Sequence, residues 1–257
     1  MSGDDQPRWA PLEEVARELA SEWGLELGEP FAMSNYSLAV PAGRDAVLKI
    51  RLADDIESDH EADALALWDG DGAVRLLRRD DERRAMLLER ALPGTDASQL
   101  PDEEATAIAI SIGQRLWRPA GAPFRALADH VPGWLDESEG HPLLPLARRL
   151  YASLKPRHDV LVHGDLHHHN LLRHGDRWVA IDTKAMLGEP EYDVFSFLRN
   201  PFTGARTEMP LERTLRRLAA FEAAGLDPWR MRAWSAIRGA FLGADEDETA
   251  TILRLLE

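Results

Sequence analysis

Residues 163–170 read HGDLHHHN: four histidines, one aspartate and one asparagine in eight positions. Two readings compete. One takes the histidines with Asp165 as a metal site, since imidazole suits zinc. Neighbouring histidines on a loop diverge, however, whereas a tetrahedral zinc site needs ligands that converge. A hydrolytic His-Asp pair would need the two residues adjacent, and Gly164 separates His163 from Asp165. The other reading takes Asp165 and Asn170 as the working groups. What lies on either side decides between them.

Upstream, Val160–Val162 is a short apolar strand. Downstream, LLRHGDRWVAIDTK reads as a hairpin that turns at His174-Gly175-Asp176 and ends in Asp182. A hairpin returns Asp182 to the neighbourhood of Asn170. Phosphoryl transfer needs such a set: a carboxylate to accept the proton of a hydroxyl, and hard oxygens for the Mg²⁺ that bridges the phosphates. Asp165 is the candidate base, and Asn170 and Asp182 are the candidate metal ligands. Protein kinases use the same layout. Farther upstream, AVLKI places Lys49 in an apolar strand, where a charge needs a partner. Glu61 on the following helix can supply it, and the pair can orient Lys49 toward nucleotide phosphates. MLLERALPG reads as the strand joining two lobes, with backbone groups near Glu89 and Ala91 able to meet an adenine edge.

The rest of the chain fits that division. PLEEVARELASEW (11–23) is an amphipathic helix with Leu12, Val15, Leu19 and Trp23 on one face. Residues 24–91 read strand, strand, helix, strand, strand. After LPGT (92–95) the pattern turns helical, beginning with PDEEATAIAISIGQRLW. Residues 118–145, with prolines at 119, 123, 132, 142 and 145, read as loop or broken helix facing the substrate. The expected fold is α+β: a β-rich lobe over 1–91, a mainly helical lobe over 92–257, and a ligand cleft between them.

Composition narrows the function. The 257 residues include no cysteine, which excludes disulfides, thiolate metal sites and cysteine nucleophiles. A net charge of −15 argues against nucleic acid as a partner; it reads first as a solubility feature and second as a field that steers a cationic substrate. No uninterrupted apolar run is long enough to span a membrane, and MSGDDQPRWA lacks the pattern of a signal peptide, so a cytoplasmic location is expected. No feature sets an oligomeric state.

LVHGDLHHHNLL, WVAIDTKAMLGEPEYDVFSFLRNP, LALWDGDGAVRLL and MLLERALPG together resemble the aminoglycoside phosphotransferase superfamily, in its streptomycin 6-kinase and hydroxyurea phosphotransferase branch. The likeness runs from about residue 45 to 200. It implies a protein-kinase-like fold, ATP and Mg²⁺ as cofactors, and a small-molecule hydroxyl acceptor such as an aminoglycoside, with antibiotic resistance as the associated role. It places Asp165 on the catalytic base, Asn170 and Asp182 on the metal ligands, and Lys49 and Glu61 on the phosphate-orienting pair. Asp193 falls where such folds steady the catalytic loop. Glu189 and Glu191 are candidates to meet a cationic acceptor. The nucleotide-covering turn, AMSNYSLAV, has no glycine, so Ser34, Asn35 and Ser37 are its candidate donors. That departure motivates the competing reading, a kinase-like module that binds nucleotide with little or no catalysis.

Overall fold

Helix α1 (Leu12–Trp23) forms where its apolar residues share one face, and Gly24 ends it with φ 66°. The computed structural model describes residues 8–31, 36–55, 58–201 and 209–257. The buried face of α1 covers one side of an antiparallel sheet made of β1 (Ser37–Ala42), β2 (Ala46–Arg51), β3 (Leu76–Asp80) and β4 (Ala85–Glu89), in the order β1-β2-β4-β3. Successive side chains on a strand point to opposite faces. Leu48 and Ile50 of β2 therefore join Ala16 and Leu19 in a small core, while Lys49 between them faces the other way. Helix α2 (Glu61–Trp68) lies on that other side and buries Ala64, Leu65 and Trp68. These residues, with Met86 and Leu88 of β4, belong to the same core as the helical lobe. The sheet thus has one face on α1 and one on the cleft.

The chain then runs through β5 (Pro93–Asp96), α3 (Asp102–Leu116), α4 (Leu127–Glu137), α5 (Leu144–Leu154) and β6 (Val160–Val162). The hairpin of β7 (Leu171–His174) and β8 (Arg177–Ala180) pairs with β5, and β9 (Met186–Gly188) pairs with β6. Among the described residues four helices follow: α6 (Glu191–Leu198), α7 (Leu211–Ala223), α8 (Pro228–Phe241) and α9 (Glu246–Leu255). Helix α8 is the hub, packed against α5, α6 and α9, and Met231, Trp234 and Ile237 on it are fully buried. The acidic stretch before the C-terminus is a helix start: Asp245 caps α9 in a capping box with Glu248. Among the described residues, no helix is long and apolar enough to cross a membrane.

One expectation needs correction. Residues 127–137 form a regular helix in spite of Pro132. Leu127, Val131 and Leu135 recur every fourth residue and are buried at 0%, 0% and 3% exposure, which holds the helix across the lost hydrogen bond.

Candidate active site

The loop 163–170 is held by one buried carboxylate. Asp193, in the first turn of α6, accepts the N–H of His163 at 2.9 Å and of Gly164 at 2.7 Å, and Trp117 Nε1–H at 2.8 Å. Across the loop, the His163 carbonyl accepts the N–H of Lys184 at 2.8 Å and the Thr183 hydroxyl at 2.9 Å. The backbones approach so closely that only glycine fits at 164. Its φ is +84°, and a Cβ there would lie 2.4 Å from the Lys184 carbonyl oxygen. His163 is fully buried. Its Nδ1 accepts the Asp165 N–H at 3.3 Å, so Nε2 carries the proton and donates to the Ile181 carbonyl at 3.0 Å. Burial holds its pKa below the ordinary histidine value. The loop carrying Asp165 and the segment carrying Asp182 are thereby tied together.

Lys49 bridges the two lobes. Its Nζ donates to both oxygens of Glu61 at 2.8 Å and to Asp182 Oδ1 at 2.5 Å. Burial disfavours the ammonium, but the Asp182 and Glu61 carboxylates outweigh it and hold the lysine pKa above its usual value. The Lys49 charge in turn holds the Asp182 carboxyl below the usual carboxylate range. Asp182 sits at φ 60°, a costly backbone state for a non-glycine residue and one that clusters at functional sites.

Asp165 opens onto a cavity of about 590 Å³ whose walls include Trp134, Glu137, Glu139, Lys184, Tyr192 and Arg238. Burial pushes the Asp165 pKa up. The His167 imidazole beside it and the Lys184 and Arg238 charges more than offset that, and hold the carboxyl well below its usual range. It is a carboxylate at neutral pH, able to accept a hydrogen bond from a hydroxyl. Asn170 Nδ2 donates to the Asp165 carbonyl at 2.9 Å, which leaves Oδ1 as the oxygen available to a cation. Asn170 Oδ1 and the Asp182 carboxylate are hard oxygen donors on segments that the hairpin brings together, and this donor chemistry fits Mg²⁺. Among the described residues, no group of three or more His, Cys, Asp or Glu side chains converges on a metal site. The loop histidines turn to separate partners, His163 to the Ile181 carbonyl and the others elsewhere. His168 is a core residue stacked on Phe197 at 4.1 Å, and His169 Nδ1 meets Asp96 Oδ2 at 2.9 Å.

Other sequence-based expectations fare differently. Glu189 and Glu191 are 1% and 4% exposed and do not line the cavity that holds Asp165. Glu189 pairs with Arg157 at 2.9 Å and Arg230 at 2.5 Å and accepts Trp234 Nε1–H; Glu191 pairs with Arg157 at 3.1 Å. They brace α6 and α8, and with Arg157 they line a smaller cavity of about 260 Å³ that Asp165 does not border. The Glu89 N–H is taken by the Arg75 carbonyl at 2.8 Å and its carboxylate by His174 and Arg177, which leaves the backbone carbonyl as the group that could meet an adenine edge. Ala91 makes no backbone hydrogen bond to the described residues. Ser34 lies outside the described residues, while Ser37 opens β1.

The sequence reading missed Lys184, Arg238, Glu137 and Glu139. Arg238, 3% exposed, donates to the Gly164 carbonyl at 2.9 Å and the Tyr192 carbonyl at 2.9 Å. A lone arginine in the apolar run AIRGAF was the available signal. Trp134 packs against the core and also lines the cavity.

Comparison with known proteins shows the family and the fold. Residues 28–249 match the family described as aminoglycoside/hydroxyurea antibiotic resistance kinase. A hydroxyurea phosphotransferase of Kitasatospora aureofaciens is 31% identical over 241 residues, covering 85% of this chain and 68% of that protein. A streptomycin 6-kinase of Streptomyces glaucescens is 29% identical over 254 residues, covering 91% and 82%. The streptomycin–ATP ternary complex of APH(2")-IIa shares the fold with a TM-score of 0.58 at 15% identity, over 100% of this chain and 97% of that one.

Proposed function

The chain belongs to the aminoglycoside/hydroxyurea antibiotic resistance kinase family, and from that premise we propose that it transfers the γ-phosphate of ATP to a hydroxyl of a cationic aminoglycoside or related amino sugar or cyclitol. The observation that carries this reading is the Lys49 bridge to Glu61 and Asp182, set beside the cavity onto which Asp165 opens. Lys49 orients the nucleotide phosphates. Asn170 and Asp182 would hold Mg²⁺, which neutralises phosphate charge and orients the transferred group. Asp165 accepts a hydrogen bond from the acceptor hydroxyl, fixes its oxygen in line with the γ-phosphorus, and takes its proton as the P–O bond forms and ADP leaves. Most of the rate comes from positioning and charge neutralisation.

Charge supports the acceptor class. Glu137 and Glu139 are exposed at the cavity edge, while Lys184 and the buried Arg238 stand on the Asp165 side. A cationic acceptor is accommodated with its amines toward the acidic edge and a neutral hydroxyl toward Asp165. ADP release measured against streptomycin-like aminoglycosides, simple amino sugars and hydroxyurea tests the proposal. Release with a cationic acceptor, and a KM for it raised about tenfold or more by the Glu137→Gln/Glu139→Gln double variant, is expected. Release with none of the three classes refutes it.

A further inference from the structure

Of the three consecutive histidines, His168 is a core residue and His169 is taken by Asp96. His167 faces the reaction centre. Its Nδ1 accepts the N–H of His169 at 3.2 Å. A neutral imidazole has one N–H, so with Nδ1 accepting, the proton is on Nε2. Two groups stand at Nε2: Asp165 Oδ2 at 3.4 Å and Asn170 Nδ2 at 3.2 Å. With Nδ1 accepting, the Nε2–H has the carboxylate as its acceptor, since the Asn170 amide nitrogen is itself a donor, one of its two hydrogens going to the Asp165 carbonyl. On the opposite side, the Ser196 hydroxyl donates to Asp165 Oδ1 at 3.1 Å. Each oxygen of the candidate base thus has a donor of its own, one from the loop and one from α6.

We infer that His167 is a positioning residue for phosphoryl transfer: its Nε2–H, opposed by the Ser196 hydroxyl, fixes the plane of the Asp165 carboxylate, and its ring packs against Asn170. The base and the candidate metal ligand then keep one spacing. A carboxylate fixed at both oxygens presents its remaining lone pairs in set directions, so an acceptor hydroxyl meets it without a search over rotamers. The 3.4 Å separation suits this role, because catalytic hydrogen bonds are often long without substrate and tighten when it binds. His167 touches neither phosphate nor acceptor in this scheme; it acts through Asp165.

The inference rests on the kinase reading of Asp165, and the test separates the two. Steady-state kinetics are measured on the full chain with an acceptor that wild type phosphorylates, together with MgATP affinity and Tm. His167→Ala is expected to lower kcat by about 10–100-fold while acceptor KM and MgATP Kd stay within about threefold. His167→Gln, which keeps a donor near the Nε2 position, is expected to recover most of the loss. If His167→Ala fails to fold, His167→Gln against His167→Met gives the same contrast between a donor and an apolar side chain of similar length. A kcat for His167→Ala within about twofold of wild type, or Gln as impaired as the apolar variant, overturns the positioning role and leaves the kinase reading standing. An Asp165→Asn variant with undiminished transfer overturns both.

Discussion

Gly164 offers a sharp test of how the site is built. A methyl group added there meets the Lys184 carbonyl oxygen at 2.4 Å, whereas ordinary contact begins at 3.4 Å. The loop bearing Asp165 and the segment bearing Asp182 must therefore separate by about 1 Å, or the backbone must leave φ +84° and abandon the N–H that Asp193 accepts. The left-handed backbone alone costs an L-residue about 1–2 kcal/mol. Weakening one hydrogen bond to a carboxylate adds about 1 kcal/mol. Gly164→Ala should thus lose about 2–3 kcal/mol of stability, or ~4–12 °C in Tm for a chain of this size. Activity should suffer more. A displacement of about 1 Å between reacting groups costs about 10²-fold in rate. The assay is coupled ADP release under saturating acceptor, with Tm from thermal unfolding. A fold drop in kcat near 10² with a folded protein is expected. Activity within about fivefold of wild type would show that the 164–184 approach does not set the spacing of the proposed base and metal ligand.

Two further outcomes follow from burial. Glu189→Gln removes the carboxylate from Arg157 and Arg230, and should cost about 2–4 kcal/mol by chemical denaturation, the partial exposure of Arg157 softening the loss; acceptor KM should stay within about twofold, and a selective rise in KM would restore Glu189 as an acceptor contact. His168 is held neutral by burial and by the nearby Arg217, with its pKa pushed down to about 2, and His163 is shifted the same way. The unfolded chain therefore binds more protons than the native one below the ordinary histidine pKa near 6.5, and stability present above that pH is lost as pH falls. Unfolding free energy should drop by about 1.4 kcal/mol per pH unit between about pH 6 and 4 on account of His168 alone, with His163 adding to the fall, and His168→Phe should reduce that slope. A stability curve flat from pH 7 to 4.5 would contradict the neutral burial of both rings.

The sequence revealed the fold through contrasts that survive folding. Lys49 is a charge between buried Leu48 and Ile50, and alternation along β2 turns it away from α1 and toward Glu61. Asp165, Asn170 and Asp182 stand out because a hairpin with an evident turn at His174–Asp176 lies between them. What stayed hidden depends on long-range packing. Glu189 and Glu191 looked like free acids because Arg157 and Arg230, their partners, come from α8 and from the segment after α5. Pro132 looked like a break because the anchoring of α4 by Leu127, Val131 and Leu135 is a tertiary effect. Lys184 and Arg238 are ordinary surface types until the fold sets them beside Asp165.

The central claim is that Asp165 serves the acceptor and not the nucleotide. Asp165→Asn keeps the shape of the side chain and removes its charge. Paired measurement of kcat for phosphotransfer and of MgATP Kd by titration calorimetry tests it directly. Turnover should fall by about 10²-fold or more while MgATP Kd changes by less than about threefold. Full turnover in the variant, or a loss of MgATP binding that accounts for the whole loss of turnover, would contradict it.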